Sequence, residues 1–357
     1  MSTQISRRYG LILRMVFSAL ILGWLATRVN WQHVFAAFAG LRWGYWVAAV
    51  GVYIVCQLLC AVRWLWLSRP LGFTQSLGRF TAIYFVGMFF NLFLPTSVGG
   101  DAVRAVYLAK GTGRRINALL SVLLDRFSGV VVLIALACIA TAMSPVQLPA
   151  QFKLLIWGLG VAAILGLLTL PWFAALVAKI HWPGEGRLAW VAAKMRRVGE
   201  ATGGAVKLFR GRPGMLAGTT LLSIVVQVLN VVVVWLVGIA LGLDVSPVYY
   251  GVAAPMVTLL TLIPLSLNGV GIREGGMVLF LAPAGVSKEI AITLAFLWFC
   301  VQTTTSVLGA AVYLIGHFKP PEPASGEPSS SEGESGEPPA IDHRPGQGRA
   351  SEYLTVA

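Results

Sequence analysis

Four ionisable residues stand where apolar segments break, and their types suit the binding of a charged ligand. Asp101 and Arg104 follow the stretch NLFLPTSVGG, and Arg273 and Glu274 follow IPLSLNGVGI. An arginine presents a planar fork of donors that matches a phosphate group. Glycines at a helix start leave backbone N–H groups available, and the helix dipole adds partial positive charge there. Together the two stretches predict a cradle for a phosphate headgroup.

The two stretches share one spacing pattern, P-x-S-x-x-G-x-x-x-R. It is matched at Pro95, Ser97, Gly100 and Arg104, and again at Pro264, Ser266, Gly269 and Arg273. Four matched positions at identical spacing, each after an apolar run, predict an internal repeat.

The predicted lipid-phosphate site contains the polar and glycine positions of both stretches: Ser97, Gly99, Gly100, Asp101, Arg104, Ser266, Asn268, Gly269, Gly271, Arg273 and Glu274. Asp101 lies three residues before Arg104, so in a helix it shares a face with that guanidinium and can hold or release it. The alternative is that the glycines only form turns and the charges only pair with one another.

A second pair of charges, Asp125 and Arg126, interrupts the apolar run ALLSVLLDRFSGVVVL. Adjacent helical residues point to different faces, so these two need not pair with each other. Asp125 is predicted to pair with a motif arginine or to carry a proton, and the alternative is a structural ion pair between helices. Five amide side chains in apolar segments are predicted to form interhelical hydrogen bonds: Gln57, Asn91, Gln227, Asn230 and Gln302.

Signatures of enzymes are missing from the sequence. It has no Walker-type loop, no HExxH and no Ser-His-Asp arrangement. Its four cysteines lie in apolar segments without metal-ligand spacing and are interpreted as small core hydrophobes. The chain is therefore predicted to be no enzyme and to use no cofactor or metal.

The elements that position these residues are membrane helices. Of the 357 residues 57% are hydrophobic and 11% are charged, against roughly a quarter charged in soluble domains. Apolar segments lie at about 9–27, 44–62, 80–94, 117–142, 154–178, 215–241, 248–263 and 290–316. This pattern predicts an all-α polytopic membrane protein.

Basic residues predict the orientation of the segments. The basic loop 179–213, the N-terminus and the loop that carries Arg63, Arg69 and Arg79 are all expected in the cytoplasm. If segment 80–94 crossed fully, the basic loops that follow it would face outside. That segment has only 15 residues, short of the roughly 20 needed for a span, and a proline and two glycines follow it. It is therefore predicted to turn back within the membrane.

The predicted architecture is an inverted repeat of units 44–142 and 215–316, with about six full spans and two re-entrant broken-helix hairpins. Transporters use this design repeatedly. Residues 1–318 form the predicted membrane domain, and the Pro-, Ser-, Gly- and Glu-rich segment 319–357 is predicted to be a disordered cytoplasmic tail. The protein is expected in the inner membrane of the cell, with both termini in the cytoplasm.

The chain carries a net charge of +13. Its basic cytoplasmic loop is expected to bind anionic lipid headgroups. Nucleic acid is not an expected partner, because the charges are scattered among apolar segments.

The ordered motifs LPTSVGGDAVRAVYLAK, SVLLDRFSG and LIPLSLNGVGIREGGMVLF resemble the flippase-like, UPF0104-type membrane family that includes the transmembrane region of lysylphosphatidylglycerol synthase. The resemblance covers roughly residues 9–318. It implies movement of a phospholipid or a polyprenyl-phosphate-linked precursor between leaflets. The positions that match the family motifs are Gly99, Gly100, Asp101, Arg104, Asp125, Arg126, Asn268, Gly271, Arg273 and Glu274.

One departure from lysylphosphatidylglycerol synthase bears on activity. Only the segment 319–357 follows the last apolar segment, with no soluble aminoacyl-transferase domain, so we expect no synthesis of lysyl lipid. Two alternatives to a transporter stay open. One is a non-transporting subunit that binds anionic lipid or partners a glycosyltransferase, and the other is an enzyme that acts on a lipid phosphate.

Overall fold

The structure is a computed structural model that describes residues 39–93, 99–179, 187–263 and 269–315, together with Gln32 and Ser266. These residues form ten α-helices, one short 3-10 helix at Ala282–Ala284 and no strand. The helices are α1 (Trp43–Ser68), α2 (Leu77–Phe93), α3 (Gly99–Ala109), α4 (Arg115–Met143), α5 (Ala150–Ala178), α6 (Arg187–Arg210), α7 (Pro213–Ala240), α8 (Pro247–Leu262), α9 (Ile272–Leu281) and α10 (Lys288–Ile315).

Five of these helices are long and apolar enough to cross a membrane: α1, α4, α5, α7 and α10. They have 26 to 29 residues, whereas α2 and α8 have 17 and 16. The prediction of an all-α polytopic membrane protein is confirmed, and the five helices match predicted spans. The sixth predicted span, 9–27, and the predicted tail, 319–357, lie outside the described residues.

Local sequence sets several helix ends. Pro213 and Pro247 stand at the first positions of α7 and α8, where a missing N–H costs no helical hydrogen bond. After α7 the chain turns at Gly242, which has a positive φ of 75° that glycine adopts without strain.

Two units with the same order of helices build the fold, α1 to α4 and α7 to α10. Each unit runs long, short, short, long. Their contacts correspond: α2 packs on α10 as α8 packs on α4, and α1 packs on α10 as α7 packs on α4. Gly309 meets the backbone of Phe85, and Gly251 meets Ala140. Ala140 and Gly309 are separated by the same number of residues as Pro95 and Pro264, so they are equivalent positions of the sequence repeat. Equivalent positions therefore make equivalent helix contacts, and the sequence repeat is also a structural repeat.

The leading helices of the two units, α1 and α7, pack against each other in opposite directions. The close pairs along their contact are Arg42 with Ala240, Cys56 with Val226, Arg63 with Ser223 and Trp66 with Gly218. Along this series the α1 residue moves toward the C-terminus of its helix while its α7 partner moves toward the N-terminus. Equivalent helices that run antiparallel are the relation expected within an inverted repeat.

Two helices lie outside the repeated units. Helix α5 packs on α4 and α6, and of its 29 residues only Ile156 and Ala174 are buried. Helix α6 corresponds to most of the basic segment that the sequence analysis treats as a loop. It buries small and apolar residues on one face, Ala192, Gly199, Ala205 and Phe209, and it exposes basic residues on the other. The basic connection is therefore an amphipathic helix, because α5 offers a helical surface on which its apolar face packs.

The orientation of the helices is open to a direct test. In a variant without the four native cysteines, we expect Arg115→Cys and Arg197→Cys to be shielded from an impermeant thiol reagent in intact cells, and to react after permeabilisation. Both positions are exposed, and both are cytoplasmic if 80–110 is re-entrant. Gln147→Cys, in the exposed connection between α4 and α5, should react in intact cells. Reaction at position 115 in intact cells would reject the re-entrant hairpin.

Candidate functional site

Five charged side chains from α1, α3 and α4 form one buried ion network. Asp125 accepts hydrogen bonds from Arg63 Nε at 2.9 Å and from Arg104 Nη2 at 3.0 Å. Asp101 accepts from Arg104 Nη1 at 3.2 Å and from Arg126 Nε at 2.6 Å. Each carboxylate therefore joins two guanidinium groups, and charges of opposite sign alternate along the network. With all five groups ionised the network carries a formal charge of +1.

Three side chains of the network are buried. The side chains of Arg63, Arg104 and Asp125 are at most 5% exposed. Arg63 also donates from Nη1 to Ser223 Oγ at 3.0 Å, which ties the network to α7 of the second unit. Buried charges stay ionised only when partners replace the water that they lose. The alternation of charges supplies those partners.

Arg104 occupies the centre of the network. Its guanidinium carbon lies 4.2 Å from the ring centroids of both Trp64 and Tyr84, within the range of cation–π attraction. Two aspartates and two aromatic rings therefore fix one arginine. The predicted pairing of Asp101 and Asp125 with a motif arginine is seen in the structure.

The first glycine pair allows α2 and α3 to approach each other closely. Gly99 and Gly100 begin α3, and the N–H of Gly100 donates to Asn91 Oδ1 at 2.7 Å. A Cβ atom at Gly100 would overlap the carbonyl oxygen of Gly87 and the Asn91 side chain. Ser97 lies outside the described residues.

The second motif turns through two glycines with positive φ, Gly269 at 75° and Gly271 at 86°. Glu274 closes the start of α9, because its Oε2 accepts the N–H of Gly271 at 2.6 Å. Arg273 is 5% exposed, and its guanidinium carbon lies 4.9 Å from the Phe299 ring centroid. Ser266 is buried, and Asn268 lies outside the described residues.

A cavity of about 290 Å³ lies between the two units. Helices of both units line it, and the charged residues among the lining are Arg63, Asp125, Arg126 and Arg273. The Arg126 side chain is 40% exposed, so the outer end of the ion network borders this space. The cavity therefore combines arginines from both halves of the repeat in one space.

Amide side chains supply much of the remaining polar lining: Gln57, Asn91, Gln227, Asn230 and Gln302. The sequence analysis assigns these five to interhelical hydrogen bonds. Gln227 does form one, from Nε2 to Gly129 O at 2.9 Å, whereas Asn230 donates within its own helix, to Val226 O at 3.0 Å. All five also face the cavity. Their shared position could not be read from spacing along single helices.

One predicted position needs correction. Arg63 is predicted in a cytoplasmic loop, but this residue lies inside α1 and is 4% exposed. The apolar residues after it, Trp64 to Leu67, extend the helix and are the signal for burial. Arg104 is predicted to hold the ligand directly together with Arg273. Arg104 is not among the described residues that line the cavity, whereas Arg126 and Arg63 of the same network are.

The repeat is symmetric in backbone and asymmetric in charge. Arg104 and Arg273 occupy equivalent positions, but Leu294 and Ala295 stand where the first unit has Asp125 and Arg126. The network is therefore built in one unit only. Within the described residues no group of three or more His, Cys, Asp or Glu side chains could hold a metal ion. Guanidinium and amide groups around a cavity suit an anion that also accepts and donates hydrogen bonds.

Comparison with known proteins shows two related sequences and one family. The family model of the lysylphosphatidylglycerol synthase transmembrane region matches residues 11–309. Glycosyltransferase AglD of Haloferax volcanii is 26% identical over 345 residues, which cover 86% of this chain and 54% of that protein. A UPF0104 membrane protein of Methanothermobacter thermautotrophicus is 24% identical over 266 residues, 69% of this chain and 78% of that protein. The chain thus spans about half the length of AglD. No solved structure matches.

Proposed function

Because this chain belongs to the family of the lysylphosphatidylglycerol synthase transmembrane region, we propose that it is a transporter that moves a lipid with an anionic phosphate headgroup between membrane leaflets. The observation that carries the proposal is the cavity between the two repeat units, with Arg63, Arg126 and Arg273 in its lining. We place the protein in the inner membrane, with both termini in the cytoplasm, and assign it no enzymatic activity. A phospholipid and a polyprenyl-phosphate-linked precursor both carry the required phosphate.

The charge of the cavity supports an anionic ligand. Three arginines and one aspartate among the described residues give its lining a formal charge of +2. A phosphodiester carries one negative charge and oxygens that accept hydrogen bonds from guanidinium groups. Basic residues on α6, at the membrane surface, are proposed to attract anionic lipids to the protein.

The inverted repeat supports transport rather than storage of the lipid. Helices of both units surround the cavity, so a shift of one unit against the other changes the side from which the cavity is reached. Antiparallel equivalent helices make the two end states similar in packing. This property suits a carrier that opens in turn to each side of the membrane.

The proposal is tested by lipid movement in reconstituted vesicles. Vesicles that contain the purified protein and a headgroup-labelled phosphatidylglycerol should expose the label of the inner leaflet to an impermeant quencher faster than protein-free vesicles do. A labelled phosphatidylcholine should move no faster than in protein-free vesicles. Equal rates with and without protein for every anionic lipid tested would refute the transporter.

The arginines of the cavity should control binding. We expect Arg126→Ala and Arg273→Ala each to weaken the binding of an anionic lipid about tenfold or more. A charge-assisted hydrogen bond contributes roughly 1.5–3 kcal/mol, and about 1.4 kcal/mol is tenfold. Lysine at either position keeps the charge but loses the planar fork, so Arg273→Lys should stay impaired. Affinity is measured by titration of lipid into folded, monodisperse protein.

Arg115→Ala, at the exposed start of α4 rather than on α6, is the matched control and should bind within a factor of two of the unmodified protein. Normal binding by a folded Arg126→Ala, Arg273→Ala double variant would remove both residues from the site.

A second candidate is a lipid-binding membrane subunit that partners a glycosyltransferase. Its support is the relative named glycosyltransferase AglD, of which this chain spans 54%. Lipid binding without movement between leaflets would favour it. Turnover of a lipid phosphate by the purified protein would instead favour an enzyme.

A further inference from the structure

We propose that the cavity selects headgroups that carry hydroxyl groups beside the phosphate, such as glycerol or a single sugar ring, over headgroups without hydroxyls or with an amine. The inference rests on the proposed function, in which the cavity holds a lipid phosphate. It specifies the chemistry of the rest of that headgroup.

The first observation is a buried amide that faces the cavity. Gln57 lines the cavity and is 6% exposed. None of the hydrogen bonds seen between described residues involves its side-chain amide, which borders the cavity. A buried amide without a partner is costly unless a ligand or water pairs with it. Its position in the middle of α1, between the two units, gives it access to a headgroup bound in the cavity.

Two further groups of the second unit have the same character. The side-chain amide of Gln302 lines the cavity, and no described residue hydrogen-bonds to it. The indole N–H of Trp298 is buried beside the same cavity, again with no acceptor among the described residues. The three groups lie on α1 and α10, which pack against each other. A ligand that satisfies them must have several polar atoms.

The chemistry of these groups points to hydroxyls. A glutamine amide both donates and accepts, and an indole N–H donates only. A hydroxyl group donates one hydrogen bond and accepts others, so it can pair with either. An ammonium group donates only, and it carries a positive charge into a lining whose formal charge is already +2. Repulsion of this kind discriminates against a competing headgroup as effectively as a new contact favours the preferred one.

The size of the cavity limits the headgroup. Its volume of about 290 Å³ equals that of about ten water molecules at ~30 Å³ each. A phosphate with one glycerol or one sugar ring has a size that suits such a space.

The test compares lipids that share the phosphodiester and differ beyond it. Purified protein is titrated with phosphatidylglycerol, phosphatidylinositol, phosphatidylethanol and phosphatidylethanolamine. Phosphatidylethanol has the same charge as the first two but no hydroxyl. We expect at least one of the hydroxyl-bearing lipids to bind about tenfold tighter than phosphatidylethanol, and phosphatidylethanolamine to bind most weakly. Preference for phosphatidylglycerol or for phosphatidylinositol distinguishes a glycerol from a ring headgroup.

Gln57→Leu replaces the amide with an apolar side chain of similar size and should bring the affinity ratio of the preferred lipid to phosphatidylethanol to within about threefold of one. Gln302→Leu makes the same test on α10 if the first variant does not fold, and thermal unfolding reports folding for both. Equal binding of all three anionic lipids by the unmodified protein would overturn the hydroxyl inference and leave the phosphate site standing. Absence of binding by every anionic lipid would overturn the proposed function as well.

Discussion

Replacement of Asp125 by alanine is expected to destabilise the folded protein by about 3–5 kcal/mol, the usual cost of removing one partner from a buried ion pair. The cost is high because this one carboxylate neutralises the guanidinium groups of both Arg63 and Arg104. Both arginine side chains are only 5% exposed, so water replaces the lost carboxylate poorly. The free energy of unfolding, measured with the protein in lipid-containing micelles, checks the expectation.

A matched control uses an exposed ion pair. Glu200 pairs with Arg196 at 3.6 Å, and its side chain is 58% exposed. Such pairs contribute about 0–1 kcal/mol, so Glu200→Ala should leave the free energy of unfolding nearly unchanged. If the free energy of unfolding of Asp125→Ala equals that of Glu200→Ala, the ion network does not stabilise the helices that it joins.

Gly100→Ala is the second change with a large expected effect, a loss of about 3 kcal/mol or more, at the upper end of the cost of overpacking. The new Cβ would overlap the carbonyl oxygen of Gly87, and a backbone atom inside a helix cannot rotate away as a side chain can. Separation of α2 from α3 would also displace Arg104, whose stem lies against Gly87. Lipid affinity should therefore fall together with the thermal unfolding midpoint.

Gly275→Ala is the control for the glycine substitution. Gly275 lies in α9, and a methyl group added to its Cα would meet no atom within 4 Å. The substitution should therefore be neutral or stabilising by up to about 1 kcal/mol. An unfolding midpoint for Gly100→Ala equal to that of Gly275→Ala would show that α2 and α3 do not need their close approach.

The sequence predicted the membrane helices well, because lipid imposes a simple rule on them. A segment that crosses must be apolar along its whole length, and the predicted segments 117–142 and 215–241 correspond to α4 and α7 within two residues at each end. The short helix α2 ends at Phe93 and α3 begins at Gly99, near the proline and paired glycine that predict a break. The re-entrant path of the chain stays a prediction.

The composition of the site could be predicted only in part. The motif charges were recognised because each is unusual in an apolar run. Arg63 was misplaced because a single arginine near the end of an apolar segment usually marks the interface, and its partner Asp125 lies 62 residues further along the chain. Contacts across that distance depend on how helices pack. For the same reason the sequence does not show that Gln57 and Gln302, which are on different helices, line one cavity.

The near-complete exposure of α5 has a consequence for the membrane itself. Its 29 residues extend about 43 Å at 1.5 Å per residue, whereas the hydrocarbon core measures about 30 Å. Hydrophobic mismatch of this size is relieved by tilt, by protrusion of the helix end or by local thickening of the lipid. Helix α5 packs mainly on α4 and α6, and its Phe152 also meets Phe280 of α9. Helix α4 carries Asp125 and Arg126. A change in bilayer thickness is therefore expected to act on the helix that supplies two of the five charges of the ion network, so that lipid chain length becomes a variable of the site as well as of the membrane.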